Sequence, residues 1–497
     1  MNPRTIAVTL AILVGLTVAA ILAAVVAARV LPDIGILPSV VVAAVLAAAT
    51  ARSVLHGWIA FLLVALVADT AEHWGGMSLR LYDEAAIPLL ILVTLAVHRS
   101  RIEIPRLGWR EAGLALFLAA GVASALVNGV PVTVWGPAVA LLGKGFAVFY
   151  LLLALRVTAD ELRPLALACA VIGAIVIGIG FVEFLAPEAV RSALGLPPYV
   201  GQRGGLTVVK SIFLHPALYG WLTAFGSLFL YARFAVLRSP IALVAAVILN
   251  IGTLLSGRRT PLLGVVVGLV LGAVRQVAAG LLSPRVWLPV AGALVLFAVV
   301  SLPVLGRFYE RTLTEYGAPP EMVAEILSPQ PDADVLRQMQ PRIALYLGSL
   351  AIARDELPFG AGFGRFGSHM SREAYSPVYA DYGMDGMYGI KKERPIAVTD
   401  TFWPMVLGEA GVFGLLGLLA FFGFLFRDLW HASGRIADAA LRATILGALL
   451  VYVEALVRAL TSSVFVAPPI AYVVFATAAL ALAVTRTTAV EVEGATA

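Results

Sequence analysis

Stretches of uninterrupted apolar residues alternate along this chain with short polar connections, and that alternation predicts membrane-spanning helices rather than a water-soluble core. Runs long enough to approach a bilayer crossing lie near 6–28, 35–50, 54–68, 85–97, 111–127, 136–156 and 164–185. A second set lies near 212–235, 240–255, 260–275, 286–304, 401–426, 440–460 and 467–485. A simple crossing needs about 20 apolar residues. Several runs are shorter, and 54–68 and 85–97 would also fit re-entrant segments. The pattern predicts an all-α, polytopic transmembrane helix bundle of about 12–14 helices with one large extracytoplasmic loop. Residues 1–304 would form a bundle of about eleven helices and 305–400 the loop, with short helices of its own. The last transmembrane helices would fall within 401–486 and a cytoplasmic tail within 487–497.

Composition strengthens this reading. Hydrophobic residues make up 61% of the 497 positions and charged residues only 13%, against roughly 25% in a soluble domain. No soluble fold of this size hides so much apolar surface, so lipid must be the solvent for most of it. Residues 6–28 are long for a signal peptide and show no clear small-residue cleavage site, so they read as a first spanning helix. The single cysteine, Cys169, lies in an apolar run, which excludes an intramolecular disulfide.

The cations, 31 Arg and 4 Lys, orient the bundle. With a cytoplasmic N-terminus, the inner segments carry Arg4, Arg52, Arg99, Arg101, Arg106, Arg110, Arg156 and Arg163. Further along they carry Arg233, Arg238, Arg275, Arg285, Arg427, Arg435, Arg442 and Arg486. The short outer connections at 29–34, 69–84, 128–135 and 461–466 contain only Arg29 and Arg80. Positive charge is retained on the cytoplasmic side, so both termini are expected there. Three outer segments depart from the rule: 186–211, 256–259 and 305–400. Long loops translocate regardless of charge, but the tight turn Ser256-Gly257-Arg258-Arg259 does not qualify as one. Two arginines there work against topology, which makes them functional candidates.

Within 305–400, residues 342–354 are apolar with an arginine at each end and predict a short helix on the membrane surface or capping the bundle. The run Pro358-Phe359-Gly360-Ala361-Gly362-Phe363-Gly364-Arg365-Phe366 follows no strand and lacks the GK[ST] ending, so it is no nucleotide loop. It reads as a tight turn that brings backbone close to a ligand or a helix. Tyr375, Tyr379, Tyr382, Tyr388, Phe402 and Trp403 then mix with polar groups, as sugar recognition or an interfacial aromatic belt would require. Asp381, Asp385 and His369 match no metal-ligand spacing.

Taken in order, His215-Pro216-Ala217-Leu218-Tyr219-Gly220, Ser256-Gly257-Arg258-Arg259, Arg342, the glycines of 360–364, Thr399-Asp400 and Gly408-Glu409-Ala410-Gly411-Val412-Phe413-Gly414 resemble the O-antigen ligase and polysaccharide polymerase superfamily. The resemblance covers roughly 200–430 and implies a glycosyltransferase of the bacterial inner membrane. Its donor would be a glycan linked to undecaprenyl diphosphate, and its acceptor a glycan or glycolipid, met on the outer face among membrane lipids. Asp400 stands where ligases of the family usually have histidine, and His215 where the helix-entry motif usually has asparagine. Both differences point toward a polymerase of O-antigen, capsule or exopolysaccharide rather than a ligase. A chain-length regulator is then a further expected partner, and no nucleic acid is.

Such a transfer needs an activated hydroxyl and a neutralised diphosphate. Arg258, Arg259 and Arg342 suit the second task, since guanidinium grips phosphate oxygens bidentately, and no metal or other cofactor is expected. Lipid headgroup binding or helix capping would also suit them. Asp400 is the expected base; as an aspartate at a helix start it also fits an N-cap. Direct attack by the acceptor would invert the anomeric carbon. Further substrate contacts are expected from Arg203, Lys210, His215, Arg365, Tyr346, Trp403 and Glu409, the last with the alternative task of holding Arg258 or Arg259. Lys144 lies in an apolar run without a readable role, and Glu454 with Arg458 forms a natural helical ion pair. The rival classes are a lipid-linked oligosaccharide flippase, for which repeated halves are missing, and a structural envelope protein, which leaves the arginine turn unexplained.

Overall fold

The computed structural model describes residues 3–31, 34–198, 202–203, 206–278 and 340–496. It opens with α1 (Pro3–Val30), α2 (Leu37–Arg52), α3 (Val54–Gly75), α4 (Tyr82–Val97), α5 (Trp109–Val127), α6 (Val132–Ala154), α7 (Ala159–Leu185) and the short α8 (Pro187–Ala193). A two-stranded antiparallel ladder follows, β1 (Gln202–Arg203) against β2 (Leu206–Thr207), with Gln202 opposite Thr207. Next come α9 (Pro216–Leu237), α10 (Pro240–Leu255) and α11 (Arg259–Ala278). The loop helices are α12 (Pro341–Asp355), α13 (His369–Glu373) and α14 (Val378–Asp381), and the chain finishes with α15 (Trp403–Arg435), α16 (Ala439–Arg458) and α17 (Ile470–Thr496).

Ten of these helices are long and apolar enough to cross a membrane, and α2 and α10 are shorter apolar helices. The protein is a multi-pass helical membrane protein. Its outward faces carry residues that water would not tolerate in such numbers, among them Leu185 at 81% exposure and Ile241 at 80%. The run at 54–68 is a full helix rather than a re-entrant piece, because Asp69, Glu72 and His73 extend it to Gly75. The run at 85–97 starts earlier than its apolar pattern, at Tyr82, with Asp83 and Glu84 in its first turn. The run at 286–304 and the first part of the loop, 305–339, lie outside the described residues.

Helix packing follows membrane rules, where small residues let backbones approach. The α5–α15 pair is the clearest case: a Cβ on Gly113 would meet the Gly417 carbonyl at 2.7 Å, and a Cβ on Gly417 would meet the Gly113 carbonyl at 2.7 Å. Aromatic rings fill the centre, with Phe422 against Phe465 at 4.4 Å and Phe146 against Phe421 at 5.2 Å.

The polar contacts sort into two ends. At one, Arg101 meets Glu161, Arg156 meets Glu103, Arg163 meets Asp438 and Arg110 meets Asp428. These arginines belong to the set that the charge bias places on one face. At the other end, Arg342 meets Asp400, Arg258 meets His215 and Tyr346 meets the Leu460 carbonyl. Residues 341–402 cap that end as a small structure with its own core of Leu345, Ile352, Phe366, Tyr379, Met387 and Ile390. The helix expected over 342–354 is α12, packed on α15 as a cap.

Candidate functional site

The site is built on a break in α15. Gly411 has φ 66° and ψ −164°, which ends the helical ladder and frees the carbonyls before it. A backbone carbonyl at membrane depth needs a partner from the protein. The glycine run supplies two: Ala361 N–H donates to the Gly408 carbonyl at 2.7 Å and Gly362 N–H to the Glu409 carbonyl at 3.0 Å. The approach is close enough that a Cβ on Gly360 would lie 2.5 Å from the Gly408 oxygen. Asn128 clamps the other side, its amide donating to the Gly360 carbonyl at 2.7 Å. The tight turn therefore serves approach to a helix. Gly411→Ala is expected to destabilise the fold by about 2 kcal/mol or more, since a side chain there is both left-handed and in collision with Phe359. The readout is the midpoint of thermal unfolding in detergent, and an unchanged midpoint would contradict this packing.

Glu409 belongs to the same joint. It is 1% exposed and accepts the Phe366 N–H at 3.1 Å, with the N–H groups of Gly364 and Arg365 and the Ser368 hydroxyl also turned toward it. The structure sets it as an anchor of the glycine turn rather than beside Arg258 or Arg259. Arg365 is half-buried in this turn and its side chain has no hydrogen-bond or ion partner among the described residues.

The polar rim stands beside the joint. Arg342, in the first turn of α12, donates to Asp400 Oδ2 at 3.0 Å, with the two side chains 32% and 40% exposed. The N-cap of α15 is Phe402, without a side-chain cap bond, so Asp400 spends its carboxylate on Arg342 rather than on the helix end. One turn on from Arg342, Tyr346 lies on the same helix face and donates to the Leu460 carbonyl at 2.8 Å. Burial pushes the Tyr346 hydroxyl up to about 12, so it stays a donor. Next along the rim, Thr461 meets Thr260 at 2.9 Å, one residue past the arginine pair. Arg258 donates to His215 Nε2 at 2.9 Å. A guanidinium carries only donors, so Nε2 of His215 is the acceptor in this contact. The Ala217 N–H reaches His215 Nδ1 only at 3.3 Å, and it is the weaker contact, since neutral imidazole has one acceptor nitrogen. Arg259 starts α11, half-buried at the same rim.

The remaining sequence candidates fall elsewhere. Lys210 is 8% exposed and lies in a buried knot around Glu183, which accepts the Lys210 N–H at 2.9 Å and pairs with Arg191 at 3.4 Å. Burial holds the Lys210 ammonium below its ordinary value, and the neighbouring Arg191 adds to the effect. Arg203 has its backbone in β1, and its side chain lies outside the described residues. Trp403 packs edge-on against Phe402 and Phe422, in the aromatic core. Of the loop tyrosines, Tyr379 is wholly buried, bonded to Ser371 and Gly367, and Tyr388 lies under Arg394 at 5.3 Å.

Two networks escaped the sequence reading. Glu183 with Arg191 ties α8 to residues 211–213, because Arg191 also donates to the Ser211 and Phe213 carbonyls at 3.3 and 3.2 Å. Lys144 joins Asp83 at 3.0 Å and Glu84 at 2.5 Å across α4 and α6. The only signal available was an ionisable residue inside or just past an apolar run. Glu454 and Arg458 form the expected helical pair at 2.6 Å, 2% and 5% exposed. The fold and rim thus define a multi-pass helical membrane protein with a cationic, carboxylate-bearing site at one end. No protein-family model matches the chain, and no curated protein matches it.

Proposed function

We propose that the protein is an inverting glycosyltransferase of a bacterial inner membrane, using a polyprenyl-diphosphate-linked glycan as donor and extending a polysaccharide. The observation that carries this reading is the Arg342–Asp400 pair sharing a rim with Arg258 and His215. Guanidinium groups at the edge of the bundle suit a diphosphate whose lipid tail stays in the membrane. The ordered motifs that resemble the ligase and polymerase superfamily fall on this same rim and joint, which supports the reading further.

In the reaction, an acceptor hydroxyl oxygen forms a bond to the anomeric carbon as the bond from that carbon to the diphosphate oxygen breaks. The diphosphate leaves with the electron pair, and Arg258 and Arg342 stabilise its growing charge. The hydroxyl proton passes to Asp400, whose Oδ1 is not used by Arg342. Attack from the face opposite the leaving group inverts the centre.

The reading puts the rim on the outer side, with both termini in the cytoplasm. Single cysteines introduced within 340–400 and within 427–439, after Cys169→Ser, are expected to differ in labelling by a membrane-impermeant maleimide on intact cells. Only the first group should react. Equal labelling of both would sink the orientation and the mechanism with it.

A further inference from the structure

At the end of the bundle opposite the loop, a pocket of about 460 Å³ opens between α9, α11, α15 and α16. Its walls bring Arg238, Arg275 and Arg442 together with Gln276 and Ser433, and no carboxylate is among the described lining residues. Arg275 and Arg442 by themselves set two like charges on the walls of one pocket, and like charges repel unless an anion joins them. The nearest acid in sequence, Asp438, is occupied: it takes Arg163 at 2.6 Å and the Leu441 N–H at 2.7 Å.

The pocket is held in shape independently of any ligand. Arg275 lies over the Trp430 ring at 5.1 Å and donates Nε to the Ser433 hydroxyl at 3.2 Å, which leaves its two terminal nitrogens available. Position 434 has to be glycine, because a Cβ there would collide with that guanidinium. Gln276 is 5% exposed, and its Oε1 has no hydrogen-bond partner among the described residues; the same holds for Nε of Arg442. An unmet acceptor beside unmet guanidinium donors calls for a ligand that carries both anionic oxygens and a hydroxyl.

We propose that this pocket binds a phosphate group bearing a neighbouring hydroxyl, at a site separate from the glycan-transfer rim. Hydrogenphosphate and the glycerol phosphate headgroup of phosphatidylglycerol both present that chemistry. Guanidinium forks on Arg275 and Arg442 would take the phosphate oxygens, and Gln276 would take the hydroxyl.

The test follows the thermal midpoint of the full-length protein in phosphatidylcholine nanodiscs, with inorganic phosphate added or phosphatidylglycerol built in. A ligand that binds only the folded state should raise the midpoint by about 2–4 °C. Arg442→Gln should lose most of that rise, and Gln276→Leu, which leaves every charge in place, should reduce it. A rise with phosphatidylglycerol alone assigns a lipid headgroup, whereas a rise with inorganic phosphate assigns a free phosphate group. No rise in the wild type with either addition, or an equal rise in Arg442→Gln and the wild type, overturns the proposal.

Discussion

Asp400→Asn is expected to lower glycan transfer by a factor of roughly 100 or more while leaving the protein folded. The substitution separates two tasks. Asparagine keeps an oxygen that can accept from the Arg342 guanidinium, so the contact at 3.0 Å that ties α12 to the start of α15 survives in weakened form. What asparagine cannot do is take a proton from the acceptor hydroxyl. Helix capping does not enter the comparison, because Phe402 occupies the N-cap and Asp400 makes no cap bond. Histidine at 400 should restore part of the rate, since it offers a base of another shape. The measurement is turnover of purified protein in lipid with a polyprenyl-diphosphate glycan, beside the thermal midpoint of each variant. Near-wild-type turnover in the asparagine variant would leave Asp400 a positioning group for Arg342 and move the search for a base to His215.

Arg258→Ala is expected to cost still more, on the order of 100- to 1000-fold in transfer, because it removes charge that acts on the leaving group. Arg258→Lys should recover only part, since a point charge cannot reproduce the two parallel hydrogen bonds of a guanidinium. His215 makes the prediction sharper. It holds the Arg258 guanidinium by accepting at Nε2, so His215→Ala should weaken transfer less than loss of Arg258 itself. A small polar acceptor such as asparagine at 215 should recover part of that loss. Turnover is measured as for Asp400, with correct insertion checked by size-exclusion chromatography. Full activity in the Arg258→Ala, Arg259→Ala double variant would show that the pair serves topology or lipid contact instead.

Glu409 and Asp400 show how far residue patterns reach into the site. Both are legible in the sequence as carboxylates in or next to a spanning run, Asp400 as the expected base and Glu409 as an expected substrate contact or holder of an arginine. The fold separates them, because Gly411 breaks α15 and the glycine turn comes down over Glu409, while Asp400 stays at the rim beside Arg342. Trp403 and Tyr379 are similar cases: each is an aromatic suited to a sugar face, and each is committed to packing.

The sequence by itself determined that this is a helical membrane protein, roughly where its helices run, and which arginines share an end. Those properties depend on local apolar content and on charge counted loop by loop, and neither needs a contact between distant residues. Beyond the i,i+4 pair of Glu454 and Arg458, which the sequence already offers, tertiary structure decided which polar groups meet. Arg342 and Asp400 are 58 residues apart, Arg258 and His215 are 43 apart, and Ser124 donates to the Gly360 carbonyl across 236. Such pairings follow from how the helices pack around Gly113, Gly417 and the broken α15, and in lipid that packing rests on close backbone approach rather than on any periodicity of apolar residues.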